Sequence, residues 1–191
     1  DSASCWYWPA IHNENLAVQV VGAENGEEVF SDLASSDFPE VSPFVKTMVD
    51  SPTETGVLEE PGDVIEKHIN VKIPAKSNGK SDVVEATARL RLRIDGPLED
   101  DTHTMEVALQ RGTGMVVQNY SPRTKQKVSN DVRGVLLAGK ASGKTAEDHA
   151  LEEFLRASEQ TANNRCDHTN KRLKSEYKTP GRRRDIDSIY K

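Results

Sequence analysis

One stretch of the sequence has the residue types of a nucleotide-binding loop. Ala138 to Thr145 spell AGKASGKT, which fits a loose phosphate-binding pattern: Ala or Gly, four residues of any type, then Gly-Lys-Thr. In such a loop, backbone N–H groups and a helix N-terminus hold the phosphates, while Lys144 would contact the β- and γ-phosphates and Thr145 would bind Mg²⁺. On this interpretation Gly143, Lys144 and Thr145 are the nucleotide-binding residues of an NTP-binding enzyme.

The same residues also suit a buried strand, a glycine turn and the start of a helix. Ala138 replaces the first glycine, and the 46 residues after Thr145 contain no apolar strand that ends in a metal-binding Asp. The strands before the motif alternate as antiparallel strands do, whereas this class of NTPase needs a parallel sheet. We therefore predict turn residues at Gly139 and Gly143 and a helix N-cap at Thr145, and keep nucleotide binding as the alternative.

Two clusters of arginine could contact phosphates or a protein partner. Arg89, Arg91 and Arg93 share one face of a predicted strand, and Arg182, Arg183 and Arg184 are consecutive near the end of the chain. Such groups bind nucleic acid through its phosphates without recognising its sequence. The alternative is a solvated sheet face that pairs with the acidic loops of the same chain.

The charge distribution allows both interpretations of the arginines. The 191 residues carry a net charge of −6, yet residues 23–66 hold twelve acidic side chains and one lysine, a net of −11. Residues 111–144 carry +6 and residues 164–191 carry +5. This asymmetry indicates either nucleic-acid binding by the basic segments or attraction between the two halves of the chain.

Other chemical motifs are weaker. RGTGMVV (111–117) suits a hairpin turn or β-bulge better than a dinucleotide fingerprint, because the third glycine and its helix are missing. Cys166 and His168 form a Cys-x-His pair without a second ligand pair, and His149 with Glu153 lacks a third ligand. We predict no catalytic residue, metal site or cofactor.

The elements around these motifs are mostly strands. Period-two alternation is clearest in DVVEATARLRLRIDG (82–96), where Ala86, Ala88, Leu90, Leu92 and Ile94 share one face. Further strands are predicted at LAVQVV, KHINVKI, MEVALQ, MVVQNY and GVLLAG, and a short helix at Ser42-Pro43. The fold class predicted is α+β, a mainly antiparallel sheet or sandwich with C-terminal helices.

The domain boundary is predicted where the helices begin. Residues 1–144 form a β-rich domain with acidic loops, and residues 145–191 form a helical element. Thr145 with Asp148 suggests a capping box, followed by an apolar helix face at Leu151, Phe154 and Leu155. A second, more polar helix is predicted within residues 165–177 and a last short one within residues 182–191.

The chain has two cysteines and no 18-residue apolar segment, which favours a cytoplasmic protein without a membrane partner. Its first residues, DSASCWYWPAI, suggest a fragment of a larger protein.

The second half resembles a region downstream of the ATPase module in bacterial GHKL ATPases of the MORC-like type, which occur in defence-type gene neighbourhoods. The resemblance covers roughly residues 104–191 and rests on RGTGMVV, GVLLAG, EEFLRASE and the later RLKSEYK and IDSIYK words. QTANNRCDHTN (160–170) departs from that pattern, and nothing here matches the GHKL nucleotide pocket. The resemblance implies a part of the parent protein that does not hydrolyse ATP, so no catalytic residue is transferred.

These observations favour a non-catalytic transducer or interaction module of a larger bacterial protein, one that is ATP-dependent and related to antiviral defence. Its partners would be the rest of the parent protein, another subunit or nucleic acid. Two alternatives remain: the nucleotide-binding enzyme, and a viral or phage structural β-sandwich protein.

Overall fold

A computed structural model describes residues 2–24, 27–32, 34, 38–79, 82–96, 105–112, 114–121, 130–160, 166–167 and 169–178. Its four helices are α1 (Ser2–His12), α2 (Ser42–Val49), α3 (Ala146–Ser158) and α4 (Lys171–Glu176). Its seven strands are β1 (Gln19–Glu24), β2 (Glu27–Asp32), β3 (Val64–Ile73), β4 (Val84–Gly96), β5 (Met105–Arg111), β6 (Met115–Tyr120) and β7 (Asp131–Ala138). A 3₁₀ turn, Gly139–Ala141, joins β7 to the segment before α3.

Five strands form the central sheet, in the order β3-β4-β7-β5-β6. All neighbours are antiparallel except β5 and β7, which run parallel. The predicted α+β class with a mainly antiparallel sheet and C-terminal helices is confirmed. The parallel pair was not predicted. It forms because β7 lies between β4 and β5, and the sequence pattern of a strand does not indicate which strands become its neighbours.

β1 and β2 form a separate two-stranded hairpin, with Gln19 opposite Asp32 and Glu24 opposite Glu27. The strand predicted from residue 16 therefore begins three residues later, at Gln19. The short helix predicted at Ser42-Pro43 is α2, with proline in its first turn.

Helices cover both sides of the central sheet. On one side, here the α3 face, Ala86, Ala88 and Leu136 pack with α3 and α4 in a single core. On the other, the α2 face, Val135 and Leu137 pack with α1 and α2. A helix on each side makes a layered sheet and not a two-sheet sandwich.

The aromatic start of the chain is a helix that the sequence did not predict. Trp8 of α1 is buried and stacks on Phe44 of α2, with ring centroids 6.2 Å apart. The N–H of Ala10 donates to the carbonyl oxygen of Gly114 at 3.1 Å, which ties α1 to the β5–β6 turn. Burial of the tryptophan stabilises this helix in spite of Pro9 inside it.

The helices predicted after residue 145 are confirmed as far as the structure describes the chain. Leu151, Phe154 and Leu155 of α3 are fully buried, and so are Leu173 and Tyr177 beside α4. The rings of Phe154 and Tyr177 pack edge to face, 5.1 Å between centroids. The last helix predicted within residues 182–191 lies outside the described residues.

Candidate functional site

The turn from β7 to α3 contains the nucleotide-loop candidate and begins its helix with a capping box. The hydroxyl of Thr145 accepts from the N–H of Asp148 at 3.2 Å, and Asp148 Oδ2 accepts from the N–H of Thr145 at 2.9 Å. Each residue therefore satisfies a backbone donor that the start of the helix would leave open. The predicted N-cap at Thr145 is confirmed.

A second carboxylate, Glu152, joins both glycine-rich motifs from one position on α3. Its Oε2 accepts from the N–H of Gly112 at 2.9 Å and from the N–H of Lys140 at 3.3 Å. Its Oε1 accepts from the Arg111 guanidinium at 3.0 Å. Arg111, Gly112, Lys140, Glu152 and Glu159 are called the Glu152 junction below.

Arg111 lies between two carboxylates inside the Glu152 junction. It forms two hydrogen bonds to Glu159 in addition to the one to Glu152. All three side chains are buried. Burial alone would lower the pKa of Arg111, but the ion pairs with Glu159 and Glu152 outweigh burial and raise that pKa above its usual value. The cation is therefore fixed in its charged form between two anions.

Four backbone N–H groups of the candidate loop donate to acceptors within the chain. A phosphate-binding loop directs its backbone N–H groups at the ligand, but the N–H of Lys140 donates to Glu152 and that of Thr145 donates to Asp148. The N–H groups of Ser142 and Gly143 donate to the carbonyl of Gly139. Two carboxylates of α3 therefore accept the N–H groups of Lys140 and Thr145, in the role that a phosphate has in such a loop.

Gly139 shows how closely the turn approaches α3. Its φ is +59°, and a Cβ placed on it would lie 2.6 Å from Glu152 Oε2 and 2.9 Å from the Glu152 Cα. The predicted turn role of Gly139 is confirmed, because only glycine fits both the backbone angle and the space. Lys144, the lysine of the candidate loop, is exposed.

The other glycine motif, RGTG, is the β5–β6 hairpin turn that the sequence predicted. Gly112 and Gly114 adopt φ values of +64° and +118°, as such a turn requires.

The arginine row of β4 is not the solvated face that the alternation predicted. The guanidinium of Arg91, on a residue only 8 % exposed, donates to the carbonyl oxygens of Met48 and Asp50 at the end of α2. Its Nε lies 3.4 Å from Glu66 Oε2, an ion pair without a hydrogen bond. Arg91 therefore satisfies the carbonyls that end a helix, where a cation is electrostatically favoured.

Arg93 is neutralised in the same way. Its Nε donates to Asp50 Oδ2 at 3.2 Å, and a second nitrogen pairs with Asp95. Asp50 and Glu66 belong to the acidic segment 23–66, so these contacts favour the alternative in which the basic strand pairs with acidic parts of the same chain.

Arg89 is different from its two neighbours in the row. Its Nε is buried and has no hydrogen-bond partner in the part of the chain that the structure describes. It lies opposite His68 of β3 and Leu137 of β7. Of the three arginines, only Arg89 has a guanidinium that no carboxylate of the described residues neutralises.

The remaining candidates are the arginines near the end of the chain and the two histidine pairs. Arg182, Arg183, Arg184 and His168 lie outside the described residues. Glu153 forms a 2.6 Å ion pair with Lys76, which lowers the pKa of that carboxyl, instead of joining His149 in a metal site. Over the described ranges, no three His, Cys, Asp or Glu side chains are grouped as metal ligands.

Sequence reasoning missed the Glu152 junction although a signal for it exists. Asp148, Glu152 and Glu159 fall four and seven residues apart, a helical spacing that continues to the C-cap residue Glu159 just past the end of α3. Acids along the border of an apolar stripe are usually solvated. Only the turns that approach this stripe from the sheet bury them.

Comparisons with protein-family models, with curated proteins and with solved structures found no match. Among the helices in the described part of the chain, none is long and apolar enough to cross a membrane.

Proposed function

We propose that this chain is a non-catalytic interaction module of a larger protein. The proposal extends the resemblance to the region downstream of a GHKL ATPase module, where a domain transmits a change of state or docks a partner. It places the hydrolysis of ATP outside this chain, and a cytoplasmic, defence-type parent protein belongs to the same proposal.

The observation that supports the proposal best is the use of Glu152 and Asp148 as acceptors for the turn N–H groups. A nucleotide at residues 138–145 would have to compete with two carboxylates already placed within hydrogen-bond distance. Its negative charge would also lie close to both of them, which disfavours phosphate binding electrostatically. The carboxylates of Glu152 and Asp148 are thus engaged by the backbone of residues 138–145.

The arginine contacts favour a protein partner over a nucleic-acid partner. Arg91 and Arg93 have their charges compensated by Asp50, Glu66 and Asp95. Counterion release from DNA needs cations that are free to approach phosphates.

Nucleotide titration tests the proposal directly. Calorimetry of the chain with Mg²⁺ and ATP up to millimolar concentration should give no binding heat, and Lys144→Ala should behave as the parent chain does. Mg²⁺-dependent binding that disappears in Lys144→Ala would refute the proposal and establish the nucleotide-binding alternative.

A second titration tests nucleic acid as the partner. Fluorescence anisotropy with duplex DNA at about 50 and 300 mM salt should show no salt-sensitive binding. Binding that weakens steeply with salt, and that Arg89→Glu abolishes while Arg156→Glu on α3 leaves it intact, would make the chain a DNA-contacting module.

A further inference from the structure

The outer edge of β3 is a row of backbone groups directed away from the sheet. The carbonyl of Ile94 accepts from the N–H of Gly62, and the N–H of Ile94 donates to the carbonyl of Asp63. The backbone N–H and C=O groups of the even-numbered residues of β4 therefore point toward β3. Through the register, these residues bond Ile65, Lys67, Ile69, Val71 and Ile73. The N–H and C=O groups of the alternate residues therefore point outward.

One end of this outward row is already closed. The carbonyl of Val64 accepts from the N–H of Thr53 at 2.7 Å, which agrees with its outward direction. Glu66, His68, Asn70 and Lys72 follow at two-residue spacing, and no main-chain hydrogen bond reaches their outward groups from the described residues. These four residues are called the open edge below.

Just after β3 the chain pairs with the segment that follows α4. The N–H of Ser77 donates to the carbonyl of Glu176 at 2.8 Å, and the N–H of Lys178 donates to the carbonyl of Ala75 at 2.9 Å. The open edge ends before this pairing, because the next alternate residue is Pro74, which has no N–H to donate.

We propose that a second copy of this chain occupies the open edge, so that β3 and β3′ pair antiparallel about a twofold axis at Ile69. In this register Glu66 lies opposite Lys72′, and His68 lies opposite Asn70′, twice by symmetry. All four outward residues pair, which forms about eight main-chain hydrogen bonds and one continuous ten-stranded sheet. The proposal deepens the proposed function by naming the partner as this chain itself.

Charge selects this register over its neighbours. A shift that centres the axis on His68 would place Lys72 opposite Val64, whose carbonyl Thr53 already occupies. A shift that centres it on Asn70 would place His68 opposite Lys72′, without a carboxylate at that position. Opposite charges across strands stabilise a pair, and like charges destabilise it.

Lys72 is exposed enough to reach Glu66′, a carboxylate that also contacts Arg91′ and His68′ within its own chain. Lys72 has 71 % of its side chain exposed, and among the described residues it pairs with Glu85 alone, which is 70 % exposed, so this ion pair is weak. On the opposite face, Ile69 is partly buried against the core, and its twofold mate would cover the remainder. Charged edge residues prevent indiscriminate pairing and still permit a register in which they are complementary.

Sedimentation equilibrium of the full chain tests the pairing. Between about 5 and 200 µM the parent chain should approach twice the monomer mass. Lys72→Glu places a carboxylate opposite Glu66′ and should weaken the dimer at least tenfold. Lys67→Glu carries the same charge change on the same strand but faces Val71′, and should remain a dimer.

Asn70→Pro provides a second variant that does not depend on charge. Its N–H points outward, so proline removes no hydrogen bond to β4 but two across the twofold axis. The variant should be monomeric, with a parent-like circular dichroism spectrum confirming that it folds. If it fails to fold, the comparison of Lys72→Glu with Lys67→Glu decides.

Two results overturn the inference. One is a parent chain that stays monomeric across the whole concentration range, which leaves the edge to a strand of another protein. The other is a dimer that Lys72→Glu weakens no more than Lys67→Glu does. Neither result bears on the non-catalytic function, because that proposal fails only on Mg²⁺-dependent nucleotide binding that is lost in Lys144→Ala.

Discussion

Backbone N–H groups find acceptors in the Glu152 junction but not along the open edge of β3, as far as the structure describes the chain. At the junction, the N–H groups of Gly112 and Lys140 donate to a buried carboxylate of the same chain. Along the open edge, the N–H groups of Glu66, His68, Asn70 and Lys72 point away from the sheet and receive no acceptor from the described residues. A motif that resembles a ligand site can therefore be internally satisfied, while an unremarkable strand carries the unsatisfied donors.

The largest effect is expected from Arg111→Met, which leaves Glu152 and Glu159 buried without their cation. Removing one partner of a buried ion pair typically costs about 3–5 kcal/mol, so urea unfolding at pH 7 should show a loss of that size. The control is Arg172→Met, whose exposed pair with Glu176 should cost no more than about 0.5 kcal/mol. Equal losses for the two variants would mean that the junction is no more than a surface ion pair.

Gly139→Ala tests how tightly the turn is held against α3. The new methyl group would meet Glu152 within 3 Å at a φ of +59°, so we expect a loss of roughly 2–3 kcal/mol in unfolding free energy. Gly56→Ala is the matched control, since its φ is +63° and no atom lies within 4 Å of the added carbon. Its loss should be only about 1 kcal/mol, and a similar loss at Gly139 would show that the turn yields easily.

Tyr177 tests the pairing of the segment after α4 with the residues that follow β3. Burial, assisted by the charges of Glu153 and Glu176, raises the pKa of its phenol from 10.0 to about 12. A raised folded-state pKa stabilises the fold below pH 10, and this contribution is lost as the pH rises through 12, by roughly 1–3 kcal/mol. Urea unfolding at pH 9 and 11.5 should show this loss in the parent chain, and a smaller one in Tyr177→Phe. Equal losses in both proteins would place the titration elsewhere.

Thr145→Ala separates the capping role of this residue from a ligand-binding role. Loss of the hydroxyl acceptor for the Asp148 N–H should cost about 1 kcal/mol of stability, measured by thermal unfolding. Lys144→Ala next to it should change the stability by less than about 0.5 kcal/mol. A larger effect at Lys144 would contradict its position as an exposed turn residue.

The smallest effect is expected at Arg89. Arg89→Met removes a buried Nε that has no partner among the described residues, so stability should change by less than about 0.5 kcal/mol. Arg91→Met removes the donor to Met48 and Asp50 and should cost about 2 kcal/mol. If both variants lose the same free energy, the difference between the two arginines is not energetic.

Much of the fold could be predicted because its signals are local. The alternation of Ala86 to Ile94, the capping box at Thr145 and the apolar stripe of α3 each depend on residues a few positions apart. The N-terminal helix could not be predicted in this way. Pro9 and three aromatic residues give a weak helical pattern, and Trp8 is stabilised by Phe44, which lies 36 positions further along the chain.

The sequence alone determined the strand periodicity, the glycine turns and the helix start at Thr145, because short-range sterics and hydrogen bonds act within a few residues. Only the tertiary structure decided what the chemistry-like residues contact. Glu152 meets Gly112 and Lys140 because β5 and β7 are neighbours, and Arg91 meets the end of α2 because that helix packs on the same face of the sheet. Burial and pairing are properties of the assembled layers. The residue types that suggest a phosphate-binding site therefore also suit buried contacts within the chain.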